Sequence, residues 1–356
     1  MFNSNRLKIA RERRGLSKSE LAAKIHVDLR SITGYEKEEF APSKENLKKI
    51  SEVLDFPLGW FSGKNIDVLS VENVSFRSLK RMSATTRDVA LSSGVIAFLL
   101  NDWIEKEFIL PELDIPDISM EDPELAAMTL RECWKLGEYP INNIINLLEA
   151  KGIRVFSLSE DSLDVDAYST WRNSQAYIFL NMQKSSERSR FDAAHELGHL
   201  LLHKNRANKG KEAEKEADKF ASAFLMPRQG LFSNPCNLTI NNLIILKKYW
   251  KVSLAALIYR LHDLDIISEW EYRRLYIEIS KQGFLKKEPE EGIRERSQIL
   301  TKIFQMLLKE GKDLSFISNN LNINITELNK IMFKIAVSNP NNIRTGRGKP
   351  NLRLVK

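Results

Sequence analysis

The sequence has little cysteine, little histidine and no long apolar run, and each scarcity excludes a class of protein. The two cysteines among 356 residues, Cys133 and Cys236, can form neither a disulfide framework nor a four-thiolate zinc site. The longest uninterrupted apolar run is the six residues from Val95 to Leu100, whereas a membrane-spanning helix needs about 20. The N-terminus carries basic residues without the apolar segment of a secretory signal. We therefore expect a protein of the reducing cytoplasm with no membrane segment.

The charge is unevenly distributed along the chain. The formal net charge is +7, but basic residues outnumber acidic ones by three in residues 1–62 and by nine in residues 273–356, so the centre is acidic. This pattern predicts that the two ends bind an anionic partner and that the centre has a different function. The composition of 43% hydrophobic and 28% charged residues is typical of a folded globular chain, long enough for two or three domains.

The N-terminal segment reads as a run of short amphipathic helices. Ser17 and Glu20 form a capping box that begins the second helix. Asp28 is placed to cap the third helix, in which Ile32 and Tyr35 are expected to face inward. Two helices of this size joined by a turn of three to four residues are typical of a helix-turn-helix, whose second helix enters the major groove of DNA.

This segment resembles the XRE family of phage-repressor-like DNA-binding domains. The resemblance is carried by RLKIARERRGLSKSELAAKI and ITGYEKEEFAPSKENLKKISEVL, and it implies a recognition helix at about 28–37. It further implies that the recognition helix contacts bases through Leu29, Arg30 and Thr33, with Gly34 as a further candidate. The residues implied to contact phosphates are Ser17, Lys18 and Lys37. The alternative is a helical module kept for protein contacts or dimerisation.

The middle of the chain predicts helices, a proline-rich linker and two strands. Helical patterning is clear in ATTRDVALSSGVIAFLLNDWIEKEF, and prolines 111, 116 and 123 then indicate a linker or surface loop. Cys133 and Trp134 lie on an apolar helix face and are expected in the core. Strand-like runs follow at IRVFSL (153–158) and AYIFLN (176–181).

The stretch RSRFDAAHELGHLLLH carries the sharpest chemical signal. Three of the five histidines fall within it. His195 and His199 are four residues apart, so on a helix they share one face and can bind one Zn²⁺ ion. Glu196 is unsuited as a ligand on that arc and is placed to act as a general base.

A second helix, EAEKEADKFASAFLMP, completes the predicted site. Its Glu214 and Asp218 are one turn apart, which suits a carboxylate ligand and a carboxylate that orients a ligand histidine. Two histidines, one glutamate and an open position are typical of catalytic rather than structural zinc.

Residues 75–290 resemble the ImmA/IrrE family of zinc metallopeptidases, in the subgroup with an N-terminal XRE domain. The matching stretches are FRSLKRMSATTRDVAL, WKLGEYPINNIINLLEAKGIRVFSL, DVDAYSTWRNSQAYIFLNMQKSSERSRFDAAHELGHLLLH and EKEADKFASAFLMP. The resemblance implies that His195, His199 and Glu214 bind zinc, that Glu196 is the base and that Asp218 supports a ligand. Glu216 competes with Glu214 for the third position, and the spacing in the family favours Glu214.

Three further residues are candidates near the reaction. His203 follows His199 by four residues and could reach the metal, although a structural or cleft-lining role is favoured. Arg190, Tyr168 and His203 are weak candidates for stabilising the transition state. The strand AYIFLN could pair with an extended substrate by strand addition, or it could be an ordinary central strand.

The C-terminal part is predicted to be helical. TINNLIILKKYWKVSLAALIYRLHD reads as a helix-turn-helix-like subdomain, and DLSFISNNLNINITELNKIMF has the same rhythm and could bind DNA or a partner. The basic stretch 341–356 is a candidate arm for phosphate contacts.

Together these observations predict a multidomain, mainly α-helical protein with a small β-sheet in a zincin-like domain. The expected domains are a helix-turn-helix domain at 1–64, a helical connector at 65–125, the metallopeptidase at 126–235, a helical subdomain at 236–290 and a helical extension with a basic tail at 291–356.

The predicted function is a DNA-binding regulator with zinc-dependent endopeptidase activity. By family resemblance, its substrate would be a repressor or another regulatory protein of a stress or mobile-element response. The alternative is a non-proteolytic regulator whose metal-site domain senses a ligand or partner, and a component of a toxin–antitoxin pair is a third possibility. The sequence leaves the oligomeric state open, with a homodimer as one arrangement.

Overall fold

The computed structural model describes residues 1–67, 69, 74–76, 83–119, 122–158, 165–204, 210–233, 238–335 and 353–354. The chain divides by its contacts into two compact units. The first holds residues 1–111, 156–166 and 297–356, and the second holds residues 112–155 and 167–296. The five-domain division stays a prediction about separable domains. Within the described ranges, no helix combines the length and the apolar character that crossing a bilayer requires.

The first unit begins with the helices that the sequence predicts. Both hydrogen bonds of the capping box between Ser17 and Glu20 are present, and Asp28 caps the third helix. Ile32 and Tyr35 are buried, as expected. The second and third helices therefore form a helix-turn-helix. The elements here are the helices Ser4–Arg13, Lys18–Ile25, Leu29–Glu36 and Lys44–Leu54 and the 3-10 turn Leu58–Ser62.

Among the described residues, the rest of the first unit is one long helix, three short C-terminal helices and small strands. The predicted helix-turn-helix rhythm near the C-terminus is confirmed, because Asn322 turns the chain with φ +52° between two helices. These elements are the helices Ala84–Glu107, Gln298–Lys309, Leu314–Leu321 and Ile325–Ile331 and the strands Val74–Phe76, Phe108–Ile109 and Arg353–Leu354. The last two strands pair antiparallel. Apart from Arg353 and Leu354, the basic stretch 341–356 lies outside the described residues.

Buried ion pairs join the two ends of the chain inside the first unit. Glu327 is 1% exposed and lies 2.8 Å from Nε of Arg13 and 2.5 Å from Nη1 of Arg14. The side-chain amide of Asn324 donates to the backbone and side-chain oxygens of Asp55. The C-terminal helices therefore pack against the N-terminal domain.

The second unit is a helical layer with a small sheet. Its helices are Pro123–Cys133, Ile144–Ala150, Ser186–Leu202, Lys211–Leu225, Arg228–Phe232, Ile240–Trp250, Leu254–Asp263 and Glu269–Lys281. The strands of the sheet in this region are Arg154–Ser157, Ala167–Arg172 and Gln175–Leu180. The expected mainly helical chain with a small sheet is thus confirmed.

The sheet contains one strand that the sequence interpretation missed and decides between the two alternatives for another. The strand Ala167–Arg172 was missed, although Asn173 and Ser174, both with positive φ, form the two-residue turn of a hairpin with Gln175–Leu180. The strand Gln175–Leu180 lies between Ala167–Arg172 and Arg154–Ser157. Both of its edges are already hydrogen-bonded, so AYIFLN is an ordinary central strand, the second of the two alternatives, and is not open to an added substrate strand.

The proline-rich stretch forms a loop, as predicted, but Cys133 on the helix that follows it is not in the core. Residues 110–119 contain no helix or strand, and Pro123 occupies the first turn of the next helix, where its missing N–H costs nothing. Trp134 is buried and packs edge-on against Phe224. Cys133 is exposed, contrary to expectation, because one residue turns a helix by about 100° and carries it to the outer side.

Candidate metal centre and DNA-binding face

Two packed helices build the candidate metal centre. The histidine helix (Ser186–Leu202) is capped by Ser185, whose hydroxyl accepts a hydrogen bond from the N–H of Arg188. The glutamate helix (Lys211–Leu225) lies close against it. A Cβ at Gly198 would come within 2.9 Å of the Phe220 ring, so this glycine permits the close approach. The contact brings the face of one helix that carries the histidines to the first turns of the other.

His195, His199 and Glu214 converge at this contact. Nε2 of His195 lies 3.0 Å from Nε2 of His199, and the Glu214 carboxylate oxygens lie 3.4 Å from the first ring and 3.3 Å from the second. One donor atom from each residue lies within 4.8 Å of the others. Both histidines are buried, while the Glu214 side chain is 28% exposed. Among the residues described, these three form the group able to hold a metal ion, and Glu214 rather than Glu216 joins it.

These donors fit zinc. Ligands at about 2.0–2.2 Å from a tetrahedral zinc ion lie about 3.3–3.6 Å from one another. The separations of 3.4 and 3.3 Å between Glu214 and the two rings match this spacing, and the two Nε2 atoms are slightly closer, at 3.0 Å. Two imidazole nitrogens and one carboxylate are also the donor set of catalytic zinc, which leaves a fourth position open.

The other ring nitrogens of the two histidines are also engaged. Nδ1 of His195 lies 2.9 Å from Oδ1 of Asp218, the partner expected from the sequence. Nδ1 of His199 lies 2.9 Å from Nδ1 of His203, and Nε2 of His203 lies 2.8 Å from Oε2 of Glu216. His203 is therefore beside a ligand candidate, and Glu216 contacts His203 instead of the cluster.

Glu196 lies beside the cluster and is completely buried. Its Oε2 accepts a hydrogen bond of 2.6 Å from the hydroxyl of Ser169, on the strand Ala167–Arg172. Its Oε1 is buried, and no group among the described residues donates a hydrogen bond to it. Such an orphaned oxygen is expected where a ligand or water completes the site. Ser169 escaped the sequence interpretation because its strand did, and the Asn173–Ser174 turn was the available signal.

Burial and neighbouring charges set the ionisation of the site. Burial lowers the pKa of His199 to about 4, so its ring is neutral and can bind a metal. Burial opposes ionisation of Glu214, but the hydrogen bonds and charges of His195 and His199 outweigh it and lower the pKa of this carboxyl to about 2. Burial raises the pKa of Glu196 to about 8 against the opposing charge of His195 and the Ser169 hydrogen bond.

Two sequence candidates for the transition state are engaged elsewhere. The Arg190 guanidinium donates to the carbonyl oxygens of Ile141 and Lys251 and pairs with Glu295. Tyr168 is fully buried and stacks on Phe179 at 4.4 Å between ring centroids. Because side chains alternate along a strand, Tyr168 and Ser169 point to opposite faces of the sheet. Both residues thus have structural contacts that the sequence did not indicate.

The candidate DNA-binding residues lie on the helix-turn-helix of the first unit. Leu29, Arg30 and Lys37 are exposed on or next to the third helix, and Thr33 is partly exposed. Ser17 is exposed at the start of the second helix, and Lys18 lies 3.2 Å from the Glu36 carboxylate. Gly34 differs from expectation: it is buried beneath Phe40, whose ring a Cβ would meet at 2.4 Å, so it cannot face a base.

Comparison with known families agrees with both sites. Residues 148–262, which include the metal cluster and Glu196, match the peptidase family M78, described as the IrrE N-terminal-like domain. Residues 7–61 match the family described as helix-turn-helix. No curated protein matches the chain.

Proposed function

We propose that this chain, which carries an N-terminal helix-turn-helix domain and an IrrE N-terminal-like peptidase domain, is a cytoplasmic DNA-binding regulator with zinc-dependent endopeptidase activity. The observation that carries the proposal is the environment of Glu196. A fully buried carboxylate with one unbonded oxygen lies beside three donors that fit zinc. A site that only stored a metal would not need this carboxylate.

The mechanism follows from the residues around the cluster. Zinc held by His195, His199 and Glu214 would polarise the scissile carbonyl and lower the pKa of water. Glu196 accepts a proton from the attacking water at Oε1, while Ser169 holds Oε2. The water oxygen bonds to the carbonyl carbon, the carbon–nitrogen bond breaks, and Glu196 returns the proton to the leaving amine. Asp218 holds the His195 ring through Nδ1.

We further propose that the substrate is a repressor or another regulatory protein. The helix-turn-helix domain would bring the peptidase to operator DNA, where such proteins bind. Exposed Leu29 and Arg30 on the third helix and Lys37 directly after it support DNA binding by this domain. A homodimer stays a prediction.

The test compares cells that express the wild-type protein with cells that express E196Q. Quantitative proteomics should find one regulatory protein that is lost in the wild-type cells alone. The purified, zinc-loaded wild type should then cleave that protein, a chelator should stop cleavage, and E196Q should bind zinc without cleaving. Equal cleavage by E196Q and wild type would contradict the mechanism, and binding without cleavage by the wild type would favour a sensor.

A further inference from the structure

The second and third histidines of HELGHLLLH form a chain that ends on a carboxylate. Nδ1 of His199 lies 2.9 Å from Nδ1 of His203, and Nε2 of His203 lies 2.8 Å from Oε2 of Glu216. The His203 side chain is 6% exposed and that of Glu216 is 29% exposed. The inner contact is therefore shielded from water, and only the carboxylate end of the chain reaches solvent.

The chemistry of these groups gives the chain a direction. When Nε2 of His199 binds the metal, the proton of its ring is on Nδ1 and is donated to His203. His203 accepts at Nδ1 and therefore carries its own proton on Nε2. A carboxylate accepts only, so Glu216 receives this second proton. Each donor meets one acceptor along the chain.

The two ligand histidines are thus supported in different ways. Asp218 contacts His195 directly, with 2.9 Å between Oδ1 and Nδ1. Glu216 contacts His199 only through an intervening ring. Residue 203 can bridge the distance because the helix has ended there, with φ −119°, while its N–H still donates to the carbonyl oxygen of His199 at 3.1 Å.

We propose that His203 and Glu216 are positioning residues that hold the His199 ring with Nε2 directed to the metal. Hydrogen bonds of this kind fix the tautomer and the orientation of a ligand histidine. The inference rests on the proposed function only in that the cluster binds zinc, and it concerns metal affinity, not cleavage.

Two substitutions at position 203 separate positioning from packing. In H203N the amide oxygen can take the place of Nδ1 and still accept from His199. In H203Q the longer side chain places its polar group near the former Nε2, where it can serve Glu216 but not His199. If residue 203 only filled space, glutamine would replace histidine better than asparagine, because it is closer in size.

The measurement is the zinc affinity of the full-length protein, by competition with a chromogenic chelator near neutral pH. H203N should bind zinc within about threefold of wild type, whereas H203Q should bind about 10–100-fold more weakly. E216A should weaken binding about tenfold, and because Glu216 is partly exposed its replacement leaves the core filled. H262Q is the matched control, because His262 forms a His–Glu pair with Glu269 at 2.9 Å outside the cluster.

Several results would overturn the inference. Wild-type affinity in both H203Q and E216A would do so, as would equal losses in H203N and H203Q. Thermal unfolding of the zinc-free proteins identifies a variant that fails to fold. If a variant at position 203 fails to fold, the zinc affinity of E216A tests the inference instead. A wild type that binds zinc with the expected order of variants but cleaves nothing would refute the proposed function and leave this inference standing. A wild type that binds no zinc would overturn both.

Discussion

The hydroxyl of Ser169 lies 2.6 Å from Oε2 of Glu196 and joins the strand Ala167–Arg172 to the histidine helix. It is a hydrogen bond between buried groups, and it favours the ionised form of the carboxyl. Oε1 has no hydrogen-bond donor among the described residues, and in the proposed reaction it is the oxygen that takes up a proton. Ser169 thus connects the hairpin of the sheet with the base of the proposed reaction.

We expect S169A to weaken catalysis and to change its pH dependence. Loss of one hydrogen bond to a charged group should lower kcat/KM about tenfold. The pKa of Glu196 should rise further, so the acidic limb of the kcat/KM profile should move to higher pH, because the base must be ionised. S222A is the control, since Ser222 is buried on the glutamate helix and its hydroxyl has no hydrogen-bond partner among the described groups.

Removal of the Glu214 carboxylate should abolish the effect of metal binding on the melting temperature of the protein. Zinc that binds the folded chain stabilises it by mass action, so a chelator should lower the melting temperature of the wild type. E214A should melt at the same temperature with and without chelator, because the cluster loses one of three ligands. E212A changes an exposed glutamate on the same helix and should keep the wild-type response. A chelator effect on E214A equal to that on the wild type would exclude Glu214 as a ligand.

The residues predicted to contact DNA should separate into those that read bases and those that contact phosphates. R30A should weaken binding to a DNA site selected by the full-length protein about tenfold or more, with little effect on unrelated DNA. K37A should weaken binding to the selected site and to unrelated DNA alike and reduce the salt dependence of binding, because it removes a predicted phosphate contact. K48A, an exposed lysine on another helix, is the control. Fluorescence anisotropy over a range of salt concentrations measures the DNA affinity of all three variants. Unchanged affinity in both R30A and K37A would exclude this helix face as the DNA-binding surface.

Glu327 should make the free energy of unfolding of the first unit decrease in acid. Burial opposes its ionisation, but the charges of Arg13 and Arg14 outweigh burial and lower its pKa. A carboxyl with a lowered pKa stabilises the fold above its unfolded pKa of about 4.3, and this stabilisation is lost as the pH falls through the folded value. E327Q should cost about 3 kcal/mol near neutral pH.

Chemical denaturation near neutral pH and at about pH 3 tests this expectation. The difference in unfolding free energy between wild type and E327Q should shrink in acid. E310Q is suited as the control, because Glu310 pairs with Lys312 at the surface. A difference that stays constant from neutral pH to acid would contradict the assignment.

Local sequence patterns were enough to predict many of the helices and the candidate metal ligands of this protein. The spacing of His195 and His199 places both rings on one side of a helix, and the capping box of Ser17 and Glu20 is formed by residues close in the sequence. Glu214 and Asp218 could be predicted because their helix has one strongly apolar face that must pack inward. The family resemblance pointed to the same residues.

The tertiary structure decided the contacts that no local pattern encodes. Arg190 pairs with Glu295, more than one hundred residues away, so its position in the sequence beside the motif was misleading. Ser169 reaches Glu196 only because a hairpin folds over the helix, and His203 meets Glu216 only because two helices pack closely. The sequence by itself determined where the helices lie and which residues are candidates for metal binding, because helical periodicity and the four-residue spacing of His195 and His199 are short-range properties. The contacts of Ser169, Arg190 and His203 depend on long-range packing, and only the folded chain shows them.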